Sequence, residues 1–168
     1  MNHIASAADV TKPVLYQHFT SKRELYLAVL DEQITGLVQQ IAAALHGTEV
    51  NRERVENALS AFFEFIRNNP QGYRIIFESD VQSDLAAQER LDTLYSEVAV
   101  TIAGILGPNA GLSTSESILL SRTLAGMVIS ATQHALSQGA GPAELAHVEK
   151  LVFRLAWGGI SIIDEDWK

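Results

Sequence analysis

The stretch Val10-Thr11-Lys12-Pro13-Val14-Leu15-Tyr16-Gln17-His18-Phe19-Thr20-Ser21-Lys22-Arg23-Glu24-Leu25 decides how this chain is read. Thr11 is a good helix N-cap and Pro13 is tolerated in a first turn, so a very short helix starts here. Ser21 followed three residues later by Glu24 is a capping box that opens a second, much longer helix. Upstream, a short helical segment from Asn2 to Ala8 leads into the turn Ala8-Asp9-Val10. Helix, turn, short helix is the arrangement that lays its second helix in the major groove of DNA. Lysine can donate to guanine and glutamine can bond adenine in a bidentate way, so Lys12, Pro13, Val14 and Gln17 are candidate base contacts, the proline and valine through a thymine methyl. Tyr16, His18 and Lys22 suit phosphates. Leu15 and Phe19 then form the core side of the helix. The bland alternative is that these basic and aromatic side chains are a solvated surface.

Outward from this head, composition describes the rest. The chain has 168 residues, 47% of them apolar, enough for a sizeable core and too many for disorder. Its formal charge is −8. Within residues 1–30, Lys12, Lys22 and Arg23 stand against Asp9 and Glu24, a net of +1, which leaves −9 on the remainder. Any DNA contact must therefore be local, with the acidic body turned away. Cysteine is absent, so disulfides and thiolate metal sites are excluded, in keeping with a reducing cytoplasm. No apolar run reaches the ~18 residues of a membrane span, the best candidate, 118–131, being broken by Arg122. The first ten residues lack the basic start and apolar block of a signal peptide.

Helical periodicity recurs along the chain and strand-like alternation does not, so the expected class is all-α. The helix from Ser21 carries the stripe Leu30, Ile34, Leu37, Val38, Ile41, Leu45 and stops at His46-Gly47. The next bears Val55, Leu59, Phe62, Phe63 and Ile66 and breaks at Asn68-Asn69-Pro70. A short helix presents Tyr73, Ile76 and Phe77. Ser83 is expected to cap a helix with Leu91, Leu94, Val98, Ile102 and Ile105, which Gly107-Pro108 should stop. Ser113 to Glu116 is a second capping box, and Gly141-Pro142 starts the last long helix. These last two helices are apolar nearly all round, so a second copy of the chain is expected to cover them, with residues 114–137 and 142–163 making a four-helix interface. The alternative is that both lie in the core of one chain.

The head resembles the TetR family of bacterial transcriptional regulators. The carrying residues are Ile4-Ala5, Ala8, Val10-Thr11, Leu15-Tyr16, His18-Phe19, Ser21-Lys22 and Leu25, which fall on the family pattern IAxxAGVSxxxLYxHFxSKxxL, whose serine place also takes threonine. Asp9 stands where the family has glycine; aspartate accepts the left-handed backbone better than most residues. The resemblance implies an N-terminal helix-turn-helix head with its connecting helix over residues 1–46, then a helical ligand-sensing and dimerisation domain over 47–168. It also implies a helix ahead of Asn2 that would pack on Ile4, Ala8, Leu15 and Phe19, so the head of this chain reads as incomplete.

The implied activity is that of a homodimer on a palindromic operator in double-stranded DNA, most commonly a repressor, released by a small apolar effector. The alternative is a dimeric ligand-binding module that does not bind DNA. Candidate pocket residues are Phe62, Phe63, Ile66, Tyr73, Phe77, Tyr95, Ile102 and Met127, with Thr101, Ser130 and His134 for polar contacts. Each aromatic or aliphatic one could equally be plain core, and His134 an interface histidine. No cofactor or metal is expected. An enzyme is disfavoured: no HExxH and no pair of ExxH motifs occurs, the histidines His3, His18, His46, His134 and His147 are scattered, and Ser161 lacks a nucleophile-elbow pattern.

Overall fold

The structure is a computed structural model that describes residues 1–78 and 84–161. Among the described residues there are eight helices and no strand: α1 (Asn2–Ala7), α2 (Lys12–His18), α3 (Lys22–His46), α4 (Asn51–Asn68), α5 (Pro70–Phe77), α6 (Leu85–Ala110), α7 (Thr114–Ser137) and α8 (Pro142–Ile160). None is long and apolar enough to cross a membrane.

Capping chemistry sets most of these boundaries. The Ser21 hydroxyl accepts from the Glu24 N–H at 3.1 Å, but the Glu24 carboxylate reaches back to the N–H and hydroxyl of Thr20 rather than to Ser21, so the box is closed one residue early. At α7 the box is complete, with Ser113 and Glu116 serving each other's backbone. Glu144 accepts from the Gly141 N–H at 3.0 Å ahead of Pro142. Thr11 is the N-cap of α2, though its hydroxyl makes no capping bond. Gly47 ends α3 in right-handed rather than left-handed backbone. Ser83 lies outside the described residues, and the N-cap of α6 is Asp84, which accepts from Ala86 N–H at 2.9 Å and Ala87 N–H at 3.4 Å.

The expected stop at Gly107-Pro108 is corrected by the structure: α6 runs through Pro108 to Ala110. Proline bars helix at the preceding residue mainly by clashing with its Cβ, and Gly107 has none. The helix ends instead at Gly111, in left-handed backbone (φ 61°), with the Leu112 N–H bonded to the Gly107 carbonyl. The bare Gly107 also lets α7 come close; a Cβ there would sit 2.8 Å from Ser117 Oγ.

The core is built on α3, whose Leu27, Leu30, Ile34, Leu37, Ile41 and Leu45 are all buried. Against it pack α4, α5 and α6, with α7 and α8 completing the bundle. Phe62 meets Phe63 and Phe77 edge-on at 5.6 and 6.2 Å between ring centroids, and Tyr73 lies 4.9 Å from Phe77. Each such side chain contributes about 1.5–3 kcal/mol by leaving water. Polar bolts add register: Glu149 of α8 accepts from Ser60 (2.7 Å) and Arg67 (2.8 Å) of α4.

The last two helices are less uniformly apolar inside than their composition suggests. α7 buries the hydroxyls of Ser117, Ser121 and Thr132, which donate to the carbonyls of Ser113, Ser117 and Val128 four residues back and so leave no unmet donor. Leu119, Leu151 and Leu155 point outward instead. Ile163 lies outside the described residues.

Candidate DNA-binding head and apolar cavity

The head is α1, a turn and α2. Ala5 and Leu15 are its buried contacts, Ile4 and Phe19 are half-buried, and Ala8 is exposed. The turn between the helices is closed in the glycine-type manner: Val10 N–H bonds the Ala5 carbonyl (3.0 Å) and Asp9 N–H the Ser6 carbonyl (3.3 Å). Asp9 occupies the left-handed position, with φ 53°. Phe19, in extended backbone, ends α2 and hands the chain to Ser21.

With Leu15 turned in, the opposite face of α2 is turned out. Lys12, Pro13, Val14, Tyr16, Gln17 and His18 are all exposed, as is Lys22 at the start of α3. The Lys12 ammonium lies 5.9 Å from the centre of the Tyr16 ring, a cation–π contact across one helical turn. The seven residues therefore offer donors, an aromatic edge and small apolar groups to solvent.

The body holds an apolar cavity of about 120 Å³. Phe62, Phe77, Tyr95 and Ile102 line it. Phe63, Ile66, Tyr73, Thr101, Met127, Ser130 and His134 do not. Phe63 and Ile66 are turned into the packed core, and Tyr73 is buried beneath Phe77. The Thr101 hydroxyl donates to the Glu97 carbonyl of its own helix, and Ser130 and His134 are on the exposed face of α7. Met127 is half-buried between the two apolar clusters. More of the wall comes from Leu37, Ile41 and Leu45 of α3, Val55, Ala58 and Leu59 of α4, Val98 and Ile105 of α6, Leu124, Ala125 and Val128 of α7, and Ala156 and Ile160 of α8. Several of those stood in the sequence as core stripes. Periodicity marks an inward face and is silent on whether that face meets atoms or space.

The polar lining residues are Asn51, Arg54 and Tyr95. The Arg54 guanidinium is already engaged, donating to the Thr48 carbonyl (2.8 Å), Asn51 Oδ1 (3.0 Å) and Glu49 (2.6 Å). Burial pushes the Tyr95 phenol above its ordinary value, with the Asp92 charge adding to it. Tyr73 is pushed up likewise, first by burial and then by Glu78 and Tyr95. Among the described residues no cluster of three or more His, Asp or Glu side chains could hold a metal ion.

This head matches the family model of bacterial regulatory proteins of the tetR family over residues 1–29. Across 96% of its length the chain is 38% identical to the HTH-type transcriptional activator FasR of Mycolicibacterium smegmatis, spanning 73% of that protein. The chain belongs to the TetR family. Two TetR-type regulators of known structure share its fold: one from Legionella pneumophila (TM-score 0.72, 19% identity, 92% of this chain and 84% of that one) and one from Rhodococcus sp. RHA1 (0.69, 22%, 95% and 82%). A more distant relative is the nucleoid occlusion factor SlmA of Haemophilus influenzae, 22% identical over 61% of this chain and 48% of its own length. As a TetR family member the chain is a transcriptional regulator that binds DNA, and not an enzyme.

Proposed function

We propose that this TetR family regulator acts as a homodimer that reads a palindromic operator through α2 and responds to a small apolar effector held in the body cavity. The observation that carries the DNA half is the exposure of α2, where Lys12 to His18 are open to solvent around the single buried anchor Leu15. Lys12, Pro13, Val14 and Gln17 meet base edges, while Tyr16, His18 and Lys22 meet phosphates. Residues 1–46 form the reading head with its connecting helix and 47–168 the sensing and dimerising part. Such a regulator works in the cytoplasm, beside the chromosome.

The dimer reading is supported by Leu119, Leu151 and Leu155, large apolar side chains 48–65% exposed on α7 and α8. Paired with a second copy, residues 114–137 and 142–163 would cover them and set two heads about 34–36 Å apart for successive major grooves. The effector reading rests on the apolar cavity lined by residues of α3 to α8; Phe62, Phe77, Tyr95 and Ile102 are the contacts assigned to it. An occupant that moved α3 would change the head spacing, and a coupling of about 1–3 kcal/mol would alter operator affinity roughly 5- to 150-fold.

The family resemblance implies repression, whereas likeness to FasR, an activator, favours activation. The deciding experiment for the DNA half is selection from a random DNA pool at low salt, with Lys12→Ala alongside. An enriched palindrome that the variant fails to enrich supports the reading; a pool that stays random with both proteins refutes it.

A further inference from the structure

α1 and α2 pack chiefly on each other, and their buried residues Ala5 and Leu15 stand outside the main core. The direction in which the head leaves the body is therefore set by whatever holds the first turns of α3. Three ties do so. The Arg23 guanidinium grips the Asp84 carboxylate through two hydrogen bonds, one of them 2.7 Å from Nη2. Two turns further on, Asp31 lies 2.6 Å from Arg90 Nε as a charge pair, without the alignment of a hydrogen bond. On the side of α5, the Tyr26 hydroxyl donates to the Ile75 carbonyl at 3.1 Å.

The two ion pairs are crossed in sign: α3 supplies cation then anion, and α6 supplies anion then cation. Sliding either helix by one pair would set like charges face to face, so the arrangement fixes register as well as proximity. Asp84 is also the N-cap of α6, and Arg90 is steadied by its own-helix bond to the Ala86 carbonyl at 3.0 Å. Both partners on α6 are thus rigidly part of that helix, which goes on to wall the cavity from Leu94 to Leu106.

We infer that the crossed pairs Arg23–Asp84 and Asp31–Arg90 are a strap that makes the head follow α6. This rests on the cavity being an effector site for its regulatory meaning, but the mechanical link can be measured without any effector. An exposed ion pair alone does little for stability, so the strap acts on geometry more than on folding.

The chain has no cysteine, so Ser6→Cys on α1 and Glu56→Cys on α4, both exposed, allow spin labels to report the head-to-body distance in the full chain. Unlabelled chain is added in excess to isolate the distance within one molecule. The double variant Asp84→Asn/Arg90→Gln neutralises one partner of each pair while asparagine still caps α6. It should widen the distance distribution by roughly 5 Å, the scale of a one-turn slip between helices. The charge swap Asp31→Arg/Arg90→Asp, which restores the second pair, should keep it narrow. A distribution in the neutral variant identical to that of the unaltered strap overturns the inference.

The amphiphilic dye 1-anilinonaphthalene-8-sulfonate, whose aromatic body is apolar and whose sulfonate is anionic, then serves as occupant. If it shifts the distance with the strap intact and not in the neutral variant, the link carries occupancy to the head. Equal shifts in both show that the coupling bypasses the strap. Dye binding that survives Ala125→Leu, which fills the cavity, counts against the effector reading and leaves the strap result standing.

Discussion

Asp9 holds the one left-handed non-glycine residue among those described, at φ 53°, and it does so in the turn that sets α2 against α1. Replacing it with alanine, asparagine or glycine separates two physical effects. A Cβ in left-handed backbone costs about 1–2 kcal/mol, an expense that asparagine and aspartate partly escape and glycine avoids altogether. Asp9→Ala should therefore destabilise the turn by about 1 kcal/mol, Asp9→Asn should be near neutral, and Asp9→Gly should stabilise it by a few tenths after its greater unfolded-state freedom is deducted. Because α1 and α2 pack mainly on each other, this energy is read locally. Amide exchange across residues 2–18 should accelerate about fivefold in the alanine variant, since 1.4 kcal/mol is a factor of ten in an equilibrium, and slow slightly in the glycine variant. Charge acts separately. Removing one negative charge about 10 Å from a phosphate removes about 0.4 kcal/mol of repulsion at water's dielectric, roughly a twofold gain in DNA affinity for all three variants before screening. Asparagine isolates that gain, glycine adds stability to it, and alanine offsets it. Exchange rates for the alanine and glycine variants that agree within a factor of about two would refute the claim that backbone conformation at this position governs the head.

Three further outcomes follow from the body. Ala125→Leu, placed on the cavity wall, should abolish binding of an apolar dye while the melting temperature holds or rises by a few degrees, because filling a void restores dispersion contacts; a fall of more than about 5 °C would mean that the wall is already close-packed. Leu155→Glu should turn the proposed dimer into monomers in sedimentation at micromolar concentration and leave helix content unchanged; a dimer that persists would remove α8 from the proposed interface. The Arg23 hydrogen bonds, with smaller help from the Ala86 and Ala87 N–H groups and the Arg23 charge, outweigh partial burial and hold the Asp84 carboxyl at about 2. An unfolded aspartate protonates near ~3.9, so the stabilisation this group supplies is complete above about pH 4 and is lost as the pH falls toward 2. Asp84→Asn should flatten that part of the acid-unfolding curve, and an identical curve would show that the carboxylate gains nothing from the pairing.

Local chemistry was legible from the chain alone. Ser113 and Glu116 announce a helix start because a hydroxyl and a carboxylate three residues apart can satisfy two orphan N–H groups wherever they occur. Asp9 is acceptable for glycine because backbone preference belongs to the residue itself, and α2 shows Lys12, Gln17 and His18 because a seven-residue helix with one anchor at Leu15 has only one face to bury. What depended on neighbours was not legible. Pro108 looks like a terminator until Gly107 is seen to remove the obstructing Cβ and to lie against Ser117 of α7. Arg23 and Asp84, sixty-one positions apart, become partners only when α3 and α6 lie side by side. Phe62 and Phe63 are the same residue type in adjacent places, yet one borders the cavity and the other is sealed in the core. Period and capping are properties of a few consecutive residues, so the sequence by itself determined the helical class and most helix starts, and which side of α2 is buried. Whether an apolar face meets another side chain, an empty space or a distant charge is a property of the packed bundle, and only the tertiary structure decided it.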